Sequence, residues 1–224
     1  QTVQIPASVE KVAMYAFYEC TSLQTATLPE TLKELGAGAF HGCSDLESQT
    51  LNPQMTIIPK GCFFGCRSLH QITLPENLKK IEDGAFAGCA ELKSIVFPNG
   101  VEELGKEAFR GCVKLSKVEL PARLNVVSQG AFRDCDHLLS VTFPADLTAI
   151  DDEAFMGCLL LNKVVCPNLL FRIGQSAFQD CKDLESVTLN LRLNAIEDKA
   201  FMGCTRLNEL DVPETVEVFS KQAF

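Results

Sequence analysis

The cysteines are the residues of this chain with the greatest capacity for chemistry. There are eleven of them, and nine recur at an interval of 23 residues: Cys20, Cys43, Cys66, Cys89, Cys112, Cys135, Cys158, Cys181 and Cys204. Thiols at one repeated position can serve in disulfides, in metal binding or in packing. The choice among these roles depends on how the fold places equivalent residues of successive repeats, and therefore on the elements that carry them.

The same interval of 23 residues separates ten phenylalanines, without an insertion anywhere. They are Phe17, Phe40, Phe63, Phe86, Phe109, Phe132, Phe155, Phe178, Phe201 and Phe224. We count repeat positions from this Phe, which makes the cysteine position +3. Position +6 is always Leu, positions +9 and +11 are mostly apolar, +12 is usually Pro, and +15 and +18 are aliphatic.

A unit of 23 residues is too small to bury its own apolar face, whereas stacked copies bury it together. Positions +9 and +11 have the spacing of inward side chains on a short strand, and the proline at +12 ends that strand because it has no N–H to donate. The pattern therefore predicts a parallel β-solenoid of about nine to ten coils in register. Each coil should hold one short strand plus a turn or short helix, within a single domain over residues 1–224.

Stacking in register makes packing the favoured role of the cysteines. Equivalent side chains of neighbouring coils point the same way about 4.8 Å apart, whereas a disulfide needs converging Cβ atoms about 3.8 Å apart. A metal site needs ligands that converge, and a 23-residue spacing gives a line instead. Cys62 and Cys166 lie off this line but also at core positions. We expect all of them to be packed thiols.

The positions of the histidines and of the acidic pairs indicate that these side chains belong to a solvated surface. His41, His70 and His137 lie at different non-core positions of separate coils. Acidic pairs suit acid–base chemistry or calcium, but here they occupy equivalent polar turns, in a column shared with Lys106 and Gln129. Calcium binding is the minor alternative for these pairs, which are Glu82–Asp83, Glu102–Glu103, Asp151–Asp152 and Glu197–Asp198.

The composition excludes several classes of function. A formal net charge of −9 and a pI near 4.9 argue against a nucleic-acid partner and against docking on anionic lipid. No run approaches the roughly 20 apolar residues of a membrane span. No nucleophile, P-loop or dinucleotide motif occurs, and the absence of Trp with only two Tyr weighs against a carbohydrate-active enzyme. We predict no enzymatic activity and no cofactor.

The frame x-x-A-F-x-x-C-x-x-L-x-x-I/V-x-L-P-x-x-L-x-x-I resembles the BspA-like class of leucine-rich repeats over essentially the whole chain. The resemblance implies a right-handed leucine-rich-repeat solenoid. It also implies a surface or secreted protein, of the kind found in bacteria and some protists, that binds matrix proteins or other cells. Other leucine-rich-repeat classes carry an Asn ladder at position +14, but this chain holds mixed residues there, from Thr31 to Asp146. Functions peculiar to those classes are therefore not carried over.

In a repetitive core, function is expected where outward side chains differ between coils. The outward strand positions are +8 and +10, with +7 beside them, and the fifth to seventh coils depart most from the Ser/Thr background. Leucines at +4, +5 and +7 of two adjacent coils add an apolar patch there. The predicted binding surface, called the strand face below, consists of Lys117, Glu119, Leu139, Ser140, Thr142, Leu159, Leu160, Lys163 and Val165.

We therefore predict a non-enzymatic protein-binding or adhesion module at the cell surface or outside the cell, forming part of a larger protein. The alternative is a structural spacer that displays another domain and binds nothing itself. The sequence shows no polar caps at its two ends, so self-association through the ends is also predicted, because an uncapped solenoid exposes its core. The expected partner is a matrix or cell-surface protein.

Overall fold

Each repeat folds into one coil with two short parallel strands on different faces. The structure is a computed structural model that describes residues 1–220 and 222–224. The first series of strands begins at repeat position +8: β1 (Thr2–Gln4), β3 (Thr25–Thr27), β5 (Ser48–Thr50), β7 (Gln71–Thr73), β10 (Lys117–Glu119), β12 (Ser140–Thr142), β14 (Lys163–Val165) and β16 (Ser186–Thr188). The strand predicted between positions +8 and +11 is thereby confirmed.

A second series of two-residue strands lies at positions +17 and +18, where the sequence analysis expected none. Its members are β2 (Lys11–Val12), β4 (Glu34–Leu35), β6 (Ile57–Ile58), β8 (Lys80–Ile81), β9 (Glu103–Leu104), β11 (Val126–Val127), β13 (Ala149–Ile150), β15 (Arg172–Ile173), β17 (Ala195–Ile196) and β18 (Val218–Phe219). The prediction of a single strand per coil was wrong, because the aliphatic residue at +18 points inward from a strand of its own.

All strand pairs are parallel and shifted by one repeat. Lys117 pairs with Ser140, and Ser140 pairs with Lys163; in the second series Ala149 pairs with Arg172. This constant register explains the absence of insertions, since one extra residue would turn inward side chains outward. In the fourth coil the first strand shrinks to a single bridge, between Ser94 and Lys117.

The segment that carries Phe and Cys is a chain of tight turns, and the described residues contain no helix. Of the two alternatives predicted for this segment, a turn or a short helix, the structure confirms the turn. The amide of Cys43 donates to the carbonyl of Phe40 at 3.1 Å, and that of Leu46 donates to Cys43 at 3.1 Å. Residues at positions −2 and +2 have positive φ, such as Gly38 (61°) and Gly42 (74°), which explains the glycine before Cys.

Other backbone N–H and C=O groups of the turns form hydrogen bonds to the neighbouring coil. The amide of Phe40, for example, donates to the carbonyl of Cys62 in the next coil at 2.9 Å. No described helix is long and apolar enough to cross a membrane.

The core is a continuous column of side chains along the axis of the solenoid. The rings from Phe17 to Phe201 stack with centroids 5.1–5.5 Å apart and interplanar angles of 2–13°. Within this stack, the rings at position 0 from Phe40 to Phe201 are at most 1% exposed. The predicted parallel β-solenoid with its 23-residue coils is confirmed.

Candidate functional site

The cysteine column is a packing element. All eleven cysteines are free, and ten are buried; Cys20, in the first turn, is exposed. From Cys43 to Cys204, each thiol of the column donates to the carbonyl of the Phe 26 residues earlier, at 3.1–3.3 Å. Each sulfur therefore joins two coils, and its only polar hydrogen already has an acceptor.

Burial also keeps these thiols protonated. Desolvation raises the pKa of Cys112 to about 12 and that of Cys166 to about 12, and it raises the pKa of Cys89 and Cys135 well above the ordinary value. A thiolate is the form that attacks electrophiles and binds metals. The packing role predicted for the column thus agrees with both its geometry and its protonation.

The acidic pairs bind groups within the chain. Arg172 forms ion pairs with Asp151 at 2.9 Å, Asp152 at 2.7 Å and Glu197 at 2.6 Å. Burial raises the pKa of Asp151, although the charge of Arg172 opposes that shift. In other coils the carboxylates cap turns: Asp83 accepts the amide of Lys106 at 2.8 Å. These contacts give Glu82–Asp83, Asp151–Asp152 and Glu197–Asp198 a structural role in the turns. Glu102–Glu103 departs from the expected column, because it lies at positions +16 and +17, where Glu103 is part of strand β9 and pairs with Lys80 at 2.9 Å.

Among the described residues, no three His, Cys, Asp or Glu side chains converge as a metal-binding group. The ring Nδ1 of His137 lies 2.9 Å from the carbonyl of Val113, and that of His70 lies 3.2 Å from the carbonyl of Ser68. Both residues are exposed, as predicted for surface histidines. His41 departs from that prediction, because it is half-buried between two aromatic rings.

The strand face is one exposed surface across three adjacent coils. Ser140 lies between Lys117 and Lys163 in the ladder, and Glu119 lies beside Thr142. With adjacent strands about 4.8 Å apart, the two lysines are about 10 Å apart along the solenoid. Val165 is 51% exposed beside them. The structure thus places the strand residues of the predicted surface together.

The three leucines of the strand face have different environments. Leu139 and Leu160 are exposed and border one shallow depression of about 400 Å³, together with Lys93, Lys114 and His137. Leu159 is half-buried and does not border that depression. The predicted apolar patch thus has two leucines beside two lysines, of which Lys114 is paired with Glu91 at 2.7 Å.

A larger hollow on the same series of strands lies near the first coils. It has a volume of about 640 Å³, and its lining includes Thr27, Thr50, Thr73 and Gln49. Gln49 occupies position +9, where the other coils hold aliphatic residues. Its side chain is 4% exposed; Nε2 donates to the carbonyl of Thr50 at 2.9 Å, whereas Oε1 has no donor among the described residues.

A second surface, which the sequence analysis missed, is a trough lined by aromatic rings. Tyr18, His41 and Phe64 share position +1 of three successive coils, and their rings stack at 5.1 and 4.6 Å. Beside them lies a floor of glycines, and Tyr15 closes one end. We call this 340 Å³ space the aromatic trough. The signal that could have revealed it is three rings in one outward column.

Comparison with known proteins agrees with this architecture. The family model described as "BspA type Leucine rich repeat region" matches six copies, over residues 1–116 and 102–224. No curated protein sequence matches the chain at a significant level.

Solved structures give the same fold. A leucine-rich repeat protein of T. pallidum is 31% identical, with a TM-score of 0.59 over 82% of this chain and 77% of its own. The pneumococcal vaccine antigen PcpA is 20% identical, with a TM-score of 0.52 over 99% of this chain and 75% of its own. A leucine-rich repeat protein from Bacteroides ovatus is 24% identical, with a TM-score of 0.50 over 96% and 79%. With the family model matching throughout, the chain belongs to the BspA-type leucine-rich repeat family.

Proposed function

We propose that this chain is a non-enzymatic protein-binding module of a surface or secreted protein, and that the strand face is its binding surface. The observation that carries the proposal is the division of the molecule into a uniform core and a varied surface. The core repeats Phe, Cys and Leu at positions 0, +3 and +6, whereas Lys117 in the fifth coil and Lys163 and Leu160 in the seventh coil break the outward pattern.

The chemistry of this surface suits a protein partner. Lys117 and Lys163 are exposed, and neither forms an ion pair in the described part of the chain. Leu139 and Leu160 of the same surface offer apolar area beside Lys93 and Lys114. Interfaces combine an apolar centre with a polar rim in this way. Solenoids also commonly use an extended face as a platform for partners.

The test is a binding screen of the purified chain against matrix glycoproteins and intact bacterial and host cells. The wild type is compared with the triple variant Lys117→Glu, Lys163→Glu, Leu160→Asp, after circular dichroism has shown that the variant is folded. A matched control reverses the charge of Lys33, which lies on another face of the coil and pairs with Glu10.

We expect the wild type and the control to bind and the triple variant to lose at least tenfold in affinity, about 1.4 kcal/mol. Equal binding by all three would refute the strand face as the binding surface. No binding by a folded wild type would favour the spacer function. Self-association through the ends stays a prediction, which sedimentation over a range of concentrations would test.

A further inference from the structure

A turn in the fourth coil places an asparagine directly before a glycine. The amide of Val101 donates to the carbonyl of Pro98 at 3.1 Å, so Asn99 and Gly100 are the two central residues of this turn. Asn99 is exposed and Gly100 is half-buried. Asn-Gly pairs are typical of turns, but of the nine asparagines of this chain only Asn99 precedes a glycine.

The two groups of this pair that can react with each other are free. Within the described residues, neither the side-chain amide of Asn99 nor the backbone amide of Gly100 forms a hydrogen bond. By contrast, the side-chain amides of Asn52, Asn77 and Asn190 donate to backbone carbonyls of the preceding coil. The carboxamide carbon of Asn99 can therefore turn toward the nitrogen of Gly100, which has no Cβ to obstruct the approach.

A positive charge lies beside Gly100. A Cβ built on this glycine would be 3.2 Å from the Nζ atom of Lys79, in the preceding coil. Lys79 is exposed, and in the described part of the chain it forms no ion pair. A cation at this place favours loss of the proton from the Gly100 amide, and it stabilises the oxyanion that forms when this nitrogen attacks a carbonyl carbon.

The seventh coil holds the same turn without these two features. Asn168 is exposed at the same repeat position, +13, in a turn closed by the equivalent hydrogen bond of 3.1 Å. The residue after it is Leu169, whose side chain crowds the approach that a glycine permits. The neutral Thr148 stands at the repeat position of Lys79. The chain therefore contains its own control for the turn at Asn99.

We propose that Asn99 is a site of spontaneous deamidation, at which the chain converts its own asparagine into aspartate and isoaspartate. The nitrogen of Gly100 loses its proton to hydroxide and attacks Cγ of Asn99, and the new C–N bond closes a succinimide ring. The bond from Cγ to Nδ2 breaks, and ammonia leaves with a proton from water, which restores the hydroxide. Water then adds to either ring carbonyl and breaks its bond to the ring nitrogen, giving aspartate from one carbonyl and isoaspartate from the other.

The conversion changes both the charge and the backbone of the fourth coil. One neutral amide becomes a carboxylate in a chain whose net charge is already −9. In isoaspartate the main chain runs through the former side chain, so one extra carbon enters the turn. The first strand of this coil is already reduced to a single bridge, from Ser94 to Lys117 of the strand face. The inference does not depend on the proposed function, but the modification would lie one coil before the proposed binding surface.

The test follows the deamidation of the purified, folded chain by mass spectrometry. The chain is incubated at about pH 6, 7 and 8, below the pH at which ionisation of its thiols would unfold it. Samples are digested with pepsin in acid, so that the digestion itself adds no deamidation. Electron-transfer fragmentation distinguishes aspartate from isoaspartate, and hydroxylamine, which cleaves the chain at a succinimide, detects the ring in parallel samples.

Three variants, each shown by circular dichroism to be folded, separate the contributions. Asn99→Gln keeps the amide but lengthens the side chain, which disfavours ring closure. Lys79→Gln removes the charge beside Gly100. Leu169→Gly places a glycine after Asn168, in the same kind of turn but without a lysine at the equivalent place; Leu169 is 36% exposed, so the change does not empty the core.

We expect aspartate and isoaspartate to form at Asn99 at a rate that rises with pH, together with hydroxylamine cleavage after this residue. Asn168 should convert at least about tenfold more slowly, a difference in barrier of about 1.4 kcal/mol, and Leu169→Gly should accelerate it. Lys79→Gln should slow the conversion of Asn99 about twofold to fivefold, and Asn99→Gln should abolish cleavage by hydroxylamine.

An unchanged Asn99 in the folded chain would overturn the proposal, and so would conversion that begins only in denaturant. Equal rates at Asn99 and Asn168 would show that neither the glycine nor the lysine matters, which would also overturn it. Aspartate without isoaspartate and without hydroxylamine cleavage would indicate direct hydrolysis in place of the succinimide route. An unchanged rate in Lys79→Gln would refute the part assigned to Lys79.

Discussion

The buried thiols predict a steep loss of stability at alkaline pH. Ten cysteines have a pKa raised by burial in the folded chain, whereas a thiol in the unfolded chain has a pKa near 8.5. Above that pH the unfolded chain releases protons that the folded chain retains. The stabilisation is therefore complete below about pH 8.5 and is lost as the pH rises toward the folded pKa values, some of which are about 12.

The size of the effect follows from the number of thiols. Between about pH 7.5 and about pH 9.5, each thiol that ionises only on unfolding costs about 1.4 kcal/mol. Ten of them together reach the order of 10 kcal/mol, which is comparable to the whole stability of a typical domain. We therefore expect the chain to unfold between about pH 9 and pH 10, before most lysines lose their charge.

The assay is urea unfolding followed by circular dichroism in a phosphine reductant, at several pH values across that window. A matched variant replaces Cys89, Cys112 and Cys135 by Val, which removes three of the ten buried thiols without emptying their sites. Its loss of stability per pH unit should be about three tenths smaller than in the wild type. A free energy of unfolding that stays constant up to about pH 9.5, or an unchanged slope in the variant, would refute the reasoning.

Three further predictions concern the coils themselves. Phe109→Ala, in the middle of the ring stack, should lower the free energy of unfolding by about 3–5 kcal/mol in urea titrations; a loss below about 1 kcal/mol would contradict the stacked core. Lys199→Gly should raise the melting temperature by a few degrees in calorimetry, because Lys199 has a φ of 56° and glycine adopts this conformation without strain; a lower melting temperature would refute this. Arg172→Met should cost about 1 kcal/mol near neutral pH because it leaves three carboxylates together, and the deficit should shrink as the pH falls and Asp151, whose pKa burial raises, takes up a proton; a pH-independent deficit would contradict the ion-pair role.

The sequence predicted those parts of the fold in which one side-chain type recurs at one position. Phe, Cys and Leu at positions 0, +3 and +6 revealed both the period and the core, because inward positions of stacked coils face the same environment. The second strand was missed since its outward residue varies freely, from Glu34 to Arg172. Only the apolar character of position +18 is constant, and this single position does not distinguish a strand from a turn.

The candidate sites also have a part that the repeat pattern predicted and a part that it did not. The strand-face residues were predicted to lie together because register fixes which coils are neighbours, and Lys117, Ser140 and Lys163 do so. The burial of Leu159 was not predictable, because it depends on side-chain packing at the turn. The aromatic trough was not predicted, because Tyr18, His41 and Phe64 are three different residue types. Their shared position +1 stands out only when all aromatic residues are treated as one class.

We infer that the Ala-Phe-x-x-Cys unit builds a closed, unreactive core and leaves function to the surface. The most direct measurement is a count of the thiols that react with Ellman's reagent, first in the native chain and then in denaturant. We expect one fast native thiol, Cys20, and reaction of all eleven after unfolding. Several fast native thiols, or fewer than eleven in denaturant, would show that the cysteine column is open or cross-linked and would contradict the claim.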